Sequence, residues 1–158
     1  DIVIVTYNSE KWIKMVPGFS AEGKGTFFRS EVVFWWIIIP VIDGRIADAY
    51  KKKLRLQRFE IIQQEQNQGF GNANNLGASF GKDEIVCFLN VDTEVFEDTF
   101  KRLEEIIAES SKEIGAWEFR QLPYEHPKIY DPVTGITSWM SGAAFAVRRE
   151  IFEKLQGF

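Results

Sequence analysis

The chain is 158 residues long, with 45% hydrophobic and 15% aromatic residues, a composition that excludes a disordered segment and suffices for one globular core. Nineteen basic against 23 acidic residues leave a net charge of −4, so no global positive field invites nucleic acid. A single cysteine, Cys87, excludes an internal disulfide and a multi-thiolate zinc site, and the longest apolar run, Val32 to Ile39, is too short to cross a bilayer.

In chain order, Ile2-Val3-Ile4-Val5 reads as a first buried strand, closed by the polar Thr6-Tyr7-Asn8-Ser9. Asn8 or Ser9 can cap a short helix from Glu10, which Pro17-Gly18, Gly23 and Gly25 interrupt, leaving residues 17 to 30 as a loop. Val32 to Ile39 predicts a second strand, whose Phe34-Trp35-Trp36 suits packing better than base stacking. Pro40 ends or edges it, and Asp43-Gly44 has turn chemistry. Ile46, Ala47, Tyr50 and Leu54 are spaced for an amphipathic helix, with Lys51-Lys52-Lys53, Arg55 and Arg58 as its solvated face. Phe59 to Ile62 is a third strand.

Asn67 to Gly77 is rich in glycine and asparagine. Glycines permit close backbone approach, and a helix starting near Asn72 would present free amides as an anion site. Gly81 suits the C′ position of that helix. Ile85 to Leu89 is short, apolar and free of Gly and Pro, the pattern of a strand covered on both faces. It makes Cys87 an inert buried thiol. The run ends in Asn90-Val91-Asp92-Thr93. With the backbone extended through Val91, Asn90 and Asp92 fall on one side, and two such oxygen ligands suit a hard divalent cation; alternatively, Asp92-Thr93 caps the next helix.

Phe96, Phe100, Leu103 and Ile107 predict an amphipathic helix over 97–109. Residues 120 to 138, with Pro123, Pro127, Pro132 and Gly135, read as loop or short edge elements. His126 within them has no second His or Cys to make a metal site or triad. Residues 142–147 suit another strand, and Ile151, Phe152 and Leu155 define a last helix before Gly157. Strands alternating with helices predict an α/β fold with a mostly parallel sheet flanked by helices, without internal repeats or linkers.

Residues 69 to 74 approach the dinucleotide fingerprint, but its third glycine is Asn74, and the stretch follows the third strand rather than the first. A phosphate loop of the Gly-Lys-Ser/Thr type and a Gly-x-Ser-x-Gly elbow are both missing from the sequence.

Taken together, Ile2 to Ser9, Asn67 to Gly77, Phe88 to Val95 (Phe-Leu-Asn-Val-Asp-Thr-Glu-Val) and Ser141 to Phe158 (opening Ser-Gly-Ala-Ala-Phe-Ala-Val-Arg-Arg) resemble the family 2 glycosyltransferases, in particular their rhamnosyltransferase-like branch. The resemblance implies the GT-A (Rossmann-like) fold and transfer of a sugar, with inversion, from a nucleotide diphosphate donor such as a UDP- or dTDP-sugar to a hydroxyl of a glycan or lipid-linked acceptor. By matching position, Thr6, Tyr7 and Asn8 would line the nucleobase pocket, with Asp43 matching loosely the family's Asp after the second strand. Asn67, Gly69 and Asn74 would close over the nucleoside. Asn90-Val91-Asp92 stands where the family has Asp-x-Asp, which implies Asp92 as ligand of a divalent cation, Mn or Mg, with Asn90 beside the nucleotide. Trp139, Ser141 and Gly142 match the stretch beside the donor sugar and acceptor.

The chain departs from the family at Asn90, in place of the first carboxylate, and over residues 12 to 45. The acidic motif carrying the family's catalytic base would follow the Gly157-Phe158 at which the chain stops, so no catalytic base is named. The expectation is that residues 1–158 form the nucleotide-sugar-binding part of a single GT-A domain, truncated at its C-terminus. No signal peptide is visible, which places it in the cytoplasm or at the inner face of the membrane; a homo-oligomer is compatible with the sequence. The rivals are a dinucleotide-binding oxidoreductase domain and a noncatalytic nucleotide-sugar-binding module.

Overall fold

Apolar runs without Gly or Pro become the interior of a twisted sheet. The structure, a computed structural model, describes residues 1–7, 35–40, 59–96 and 98–158. Among them lie six strands, β1 (Ile2–Val5), β2 (Trp35–Pro40), β3 (Phe59–Gln64), β4 (Ile85–Asn90), β5 (Ala116–Glu118) and β6 (Ala144–Arg148), and three helices, α1 (Gly69–Phe80), α2 (Thr99–Glu109) and α3 (Arg149–Lys154). The strands form one sheet in the order β3-β2-β1-β4-β6-β5. β1 pairs in parallel with both β2 and β4, and β2 with β3. β6 is antiparallel to both neighbours, so it alone runs against the rest. The mostly parallel α/β sheet expected from the sequence is therefore found.

Period-two alternation divides the strands between two cores. Ile2, Ile4, Cys87, Leu89, Ala144 and Ala146 face one side, where Phe100 and Leu103 of α2 and Trp117 of β5 cover them. Val3, Val86, Phe88, Phe145 and Val147 face the other, under Ala73 and Ala78 of α1 and, partly buried, Ile151 and Phe152 of α3. Burial on both faces is why the sequence of β1 and β4 is apolar throughout. Cys87 is a free, buried thiol, and burial pushes its pKa up to about 12. Among the described residues no helix is long and apolar enough to cross a membrane.

Several boundaries differ from the sequence reading. α1 begins at Gly69, not near Asn72, because Asn67 Oδ1 accepts the Gly69 N–H at 2.9 Å and Gly69 itself turns the chain at φ +82°. Gly81 does not end α1 in a left-handed conformation; its φ is −83°. It is small because a Cβ there would lie 2.0 Å from Asp1 Oδ2. β5, unforeseen in the sequence, closes the sheet. The short helix from Glu10, the loop over 17–30 and the helix around Ile46 to Leu54 lie outside the described residues, as do the side chains of β2.

The amino-terminal edge of the parallel strands is tied by charge. Arg149 donates from Nη2 to Asp1 Oδ2 (2.6 Å), from Nε to the Asp83 carbonyl (2.6 Å) and from Nη1 to the Ala78 carbonyl (2.7 Å). The Asp83 N–H adds a bond to the same Asp1 carboxylate at 2.9 Å. Desolvation, opposed by Glu153 and Asp83, lowers the Arg149 pKa.

Candidate functional site

Strand order reverses at β1: the chain builds outward to β2 and β3 on one side, then crosses to β4 on the other. The carboxyl ends of β1 and β4 part at that switch point, the position at which open α/β sheets receive ligands. Val5 and Asn90 are register partners there. Thr6, next in the chain, is 1% exposed, and its Oγ1 has no hydrogen-bond partner. Gln64 at the end of β3, which sequence reasoning passed over, is likewise buried with an unpartnered Oε1. Buried polar atoms are nearly always paired, so two orphans on one edge mark where a ligand or further chain is wanted.

β4 stops at Asn90. The Asn90 carbonyl accepts both the Thr93 N–H (3.2 Å) and the Thr93 hydroxyl (2.6 Å), so Val91 and Asp92 form a turn. The extended backbone through Val91, from which a shared side for Asn90 and Asp92 was argued, is thus not found: the hydroxyl of Thr93 folds the chain back instead. Nor do Asp92 and Thr93 cap the following helix, which begins at Thr99 after Asp98. Asp92 sits exposed on the turn, with no hydrogen bond or ion pair among the described residues.

The reversed direction of β6 carries its amino-terminal end into the same crevice. The Asn90 N–H donates to the Ala143 carbonyl at 2.8 Å, placing Gly142 and Ser141 beside the tip of β4. Ser141 is 6% exposed; its N–H donates to Glu118 Oε1 (2.9 Å), and its Oγ accepts the Ala143 N–H (3.3 Å). Glu118 also takes both bonds from the Lys128 ammonium, and both side chains are buried. Lys128 lies 3.9 Å from the ring centroid of Trp139, itself 44% exposed and 6.1 Å from His126. Sequence reasoning missed Glu118 and Lys128. The available signal was a lysine set among prolines opposite an acidic strand end, too weak without the fold.

α1 contributes from the far side of β1. Gly69 and Asn67 occupy its start, while Asn74 is 1% exposed and donates its amide to the Phe70 carbonyl at 2.9 Å. Phe70 reaches across: a Cβ on Gly142 would lie 3.8 Å from its Cζ. Phe158 packs edge-on against both Phe70 (5.5 Å) and Phe88 (5.1 Å), and its N–H donates to Asn75 Oδ1 at 3.0 Å. The structure thus brings Thr6, Asn90, Ser141 and Gly142 together and links them to Gly69 through Phe70. Tyr7 stands half-exposed on the rim; Asn8 and Asp43 lie outside the described residues.

The donor chemistry at the tip suits a hard cation in part. Asp92 and Asn90 offer oxygen atoms, and no cluster of three His, Cys, Asp or Glu side chains occurs among the described residues. Ligand phosphates and water would complete the shell, as is usual for magnesium. The dinucleotide rival loses support, since Gly69 and Gly71 lie in α1 after the edge strand β3, away from the turn after β1.

Residues 38–121 match the model of Glycosyl transferase family 2. No curated protein matches the chain. S. aureus TarS in complex with UDP-GlcNAc superposes with a TM-score of 0.67 at 17% identity, over 98% of this chain and 46% of that one. The mannosyltransferase PcManGT from Pyrobaculum calidifontis, in complex with GDP-Man and Mn2+, gives 0.64 at 17% identity, over 99% and 46%. HddC from Yersinia pseudotuberculosis gives 0.57 at 16%, over 98% and 79%. At such identities the likeness establishes the fold, which is of the GT-A type. The chain spans about half the length of the TarS and PcManGT chains.

Proposed function

Because the chain belongs to glycosyl transferase family 2, we propose that it binds a nucleotide diphosphate sugar across the crevice between β1 and β4 and presents the sugar to an acceptor hydroxyl for transfer with inversion. The observation that carries this reading is the convergence of Thr6, Asn90 and the Ser141-Gly142 backbone at the switch point, with the carboxylate of Asp92 left unclaimed on the adjoining turn.

The roles combine the family resemblance with the positions of the described residues. The unpartnered Thr6 hydroxyl and the adjoining Tyr7 serve the nucleobase, and Asn67 and Gly69 at the start of α1 flank the nucleoside; Asn8 is assigned to the same pocket by the resemblance of the sequence alone. Asp92, on the turn after β4, holds a divalent cation against the diphosphate, and Asn90 at the strand tip meets the nucleotide. When bound, such an ion neutralises the charge that builds on the leaving diphosphate. Trp139, Ser141 and Gly142 line the sugar end. TarS is bound to UDP-GlcNAc and PcManGT to GDP-Man on one fold, so the fold leaves the base open; UDP or dTDP is the choice that the family resemblance implies for this chain. No carboxylate among the described residues is assigned to deprotonating the acceptor.

Calorimetric titration of UDP and dTDP, with and without Mn²⁺ and with NAD as control, tests the reading. Metal-dependent binding of a diphosphate, lost in Asp92→Ala with the melting temperature unchanged, supports it. Binding of NAD alone refutes it, and so does diphosphate binding that Asp92→Ala leaves intact.

A further inference from the structure

Beneath the sugar end lies an ion pair that the proposed roles do not use. Glu118 ends β5 and Lys128 comes from the following loop; their side chains are 7% and 0% exposed. Burying two charges is costly, and apolar residues of the same volume are often no worse for stability. The pair therefore invites the question of what else it holds. Glu118 accepts the Ser141 N–H at 2.9 Å, fixing the last peptide before the crevice, and Lys128 places its ammonium 3.9 Å from the centroid of the Trp139 ring. One anion and one cation thus grip both ends of Trp139-Met140-Ser141. Trp139 itself keeps 44% of its surface in solvent, and the cation against its face is a directional contact that bears on its orientation.

The geometry points to Glu118 and Lys128 as a positioning pair, which sets the Trp139 ring and the Ser141 backbone to receive the sugar ring of the donor. This inference rests on the proposed function and deepens it. Neither residue touches the nucleotide; both act through Trp139 and Ser141.

The test uses the neutral double variant Glu118→Gln/Lys128→Met, which leaves no single buried charge uncompensated, together with Trp139→Ala and the triple variant. Two quantities are read. The first is the ratio of affinities for UDP-GlcNAc and UDP. The second, independent of any ligand, is the solvent isotope shift of the Trp139 fluorine resonance in 5-fluorotryptophan-labelled protein, assigned by its loss in Trp139→Phe. A positioning pair gives a double variant that melts near the wild-type temperature, exposes Trp139 more, and loses the sugar-dependent part of the affinity to the same extent as Trp139→Ala. The triple variant shows no further loss, since coupled residues are not additive. An unchanged fluorine shift overturns the inference, as does a triple variant whose losses add. If wild type gains no affinity from GlcNAc, that is not the sugar the crevice takes, and the fluorine shift still decides whether the pair orients the ring.

Discussion

Phe88 is the residue on which one of the two cores closes, and its removal gives the sharpest test of the packing. It is 1% exposed, and its ring centroid lies 5.2 Å from that of Phe145, 5.1 Å from Phe152 and 5.1 Å from Phe158. Truncating a buried phenylalanine to alanine costs about 3–5 kcal/mol, and each aromatic pair lost adds about 0.5–1.5 kcal/mol beyond buried area. Phe158 is half-exposed and can settle into part of the void, so we expect Phe88→Ala to cost about 4 kcal/mol in all. At about 2–4 °C per kcal/mol for a domain of this size, the melting temperature falls by roughly 8–16 °C. Urea unfolding followed by circular dichroism measures the loss, with Phe96→Ala as the control. Phe96 is 67% exposed, and its truncation should stay within about 0.5 kcal/mol of wild type. A loss below about 1 kcal/mol for Phe88→Ala, or an equal loss for Phe96→Ala, would refute the assignment of Phe88 to the core.

Two glycines should fail for different reasons. Gly81→Ala sets a methyl 2.0 Å from the Asp1 carboxylate that Arg149 holds, and is expected to cost about 1–3 kcal/mol by overpacking. Gly69→Ala meets nothing within 4 Å but must adopt φ +82°; it should cost about 1–2 kcal/mol, and Gly69→Asn less, since asparagine tolerates left-handed backbone. Unfolding titrations that rank Gly69→Asn below Gly69→Ala would contradict this. The thiol of Cys87, pushed up to about 12 by burial, supplies a pH test. A raised folded pKa leaves stability intact below the unfolded value near 9 and erodes it as pH climbs towards 12. The stability difference between wild type and Cys87→Ala should therefore shrink from pH 8.5 to about 10.5. The thiol should also resist disulfide reagents in the folded state, and rapid labelling at neutral pH would count against its burial.

The strands with the strongest apolar runs, Ile2 to Val5 and Ile85 to Leu89, were legible because burial on both faces leaves no ambiguity in composition. α2 was legible through Phe100 and Leu103, whose spacing matches the face it buries. β5 was not, because Ala116-Trp117-Glu118 is too short to show a period; its strand character comes from pairing with β6. The start of α1 was misplaced by three residues because the turn into it is made by the left-handed Gly69 and its N–H bond to Asn67 Oδ1, not by a preference of Asn72. At the candidate site, the arrival of Asn90 at a strand tip could be read from polarity alone. The turn at Val91 could not, since it hangs on the Thr93 hydroxyl reaching back to Asn90. Glu118 and Lys128 stand 10 residues apart, and nothing local advertises that they meet.

The antiparallel course of β6 has a consequence for how such a protein can diversify. β5 and β6 are neighbours, with Glu118 opposite Phe145, so the whole excursion from Phe119 to Ala143 leaves and re-enters the sheet at adjacent points. It carries its own fastening: the Tyr130 to Thr137 bridge, and the Asp131 carboxylate, held below its usual range chiefly by bonds from Thr134 and also by the Val133 N–H. A segment anchored like the bow of a hairpin can be exchanged between relatives, or lengthened, without re-registering a strand. The segment that carries Trp139 and Ser141 is thereby the part most open to grafting.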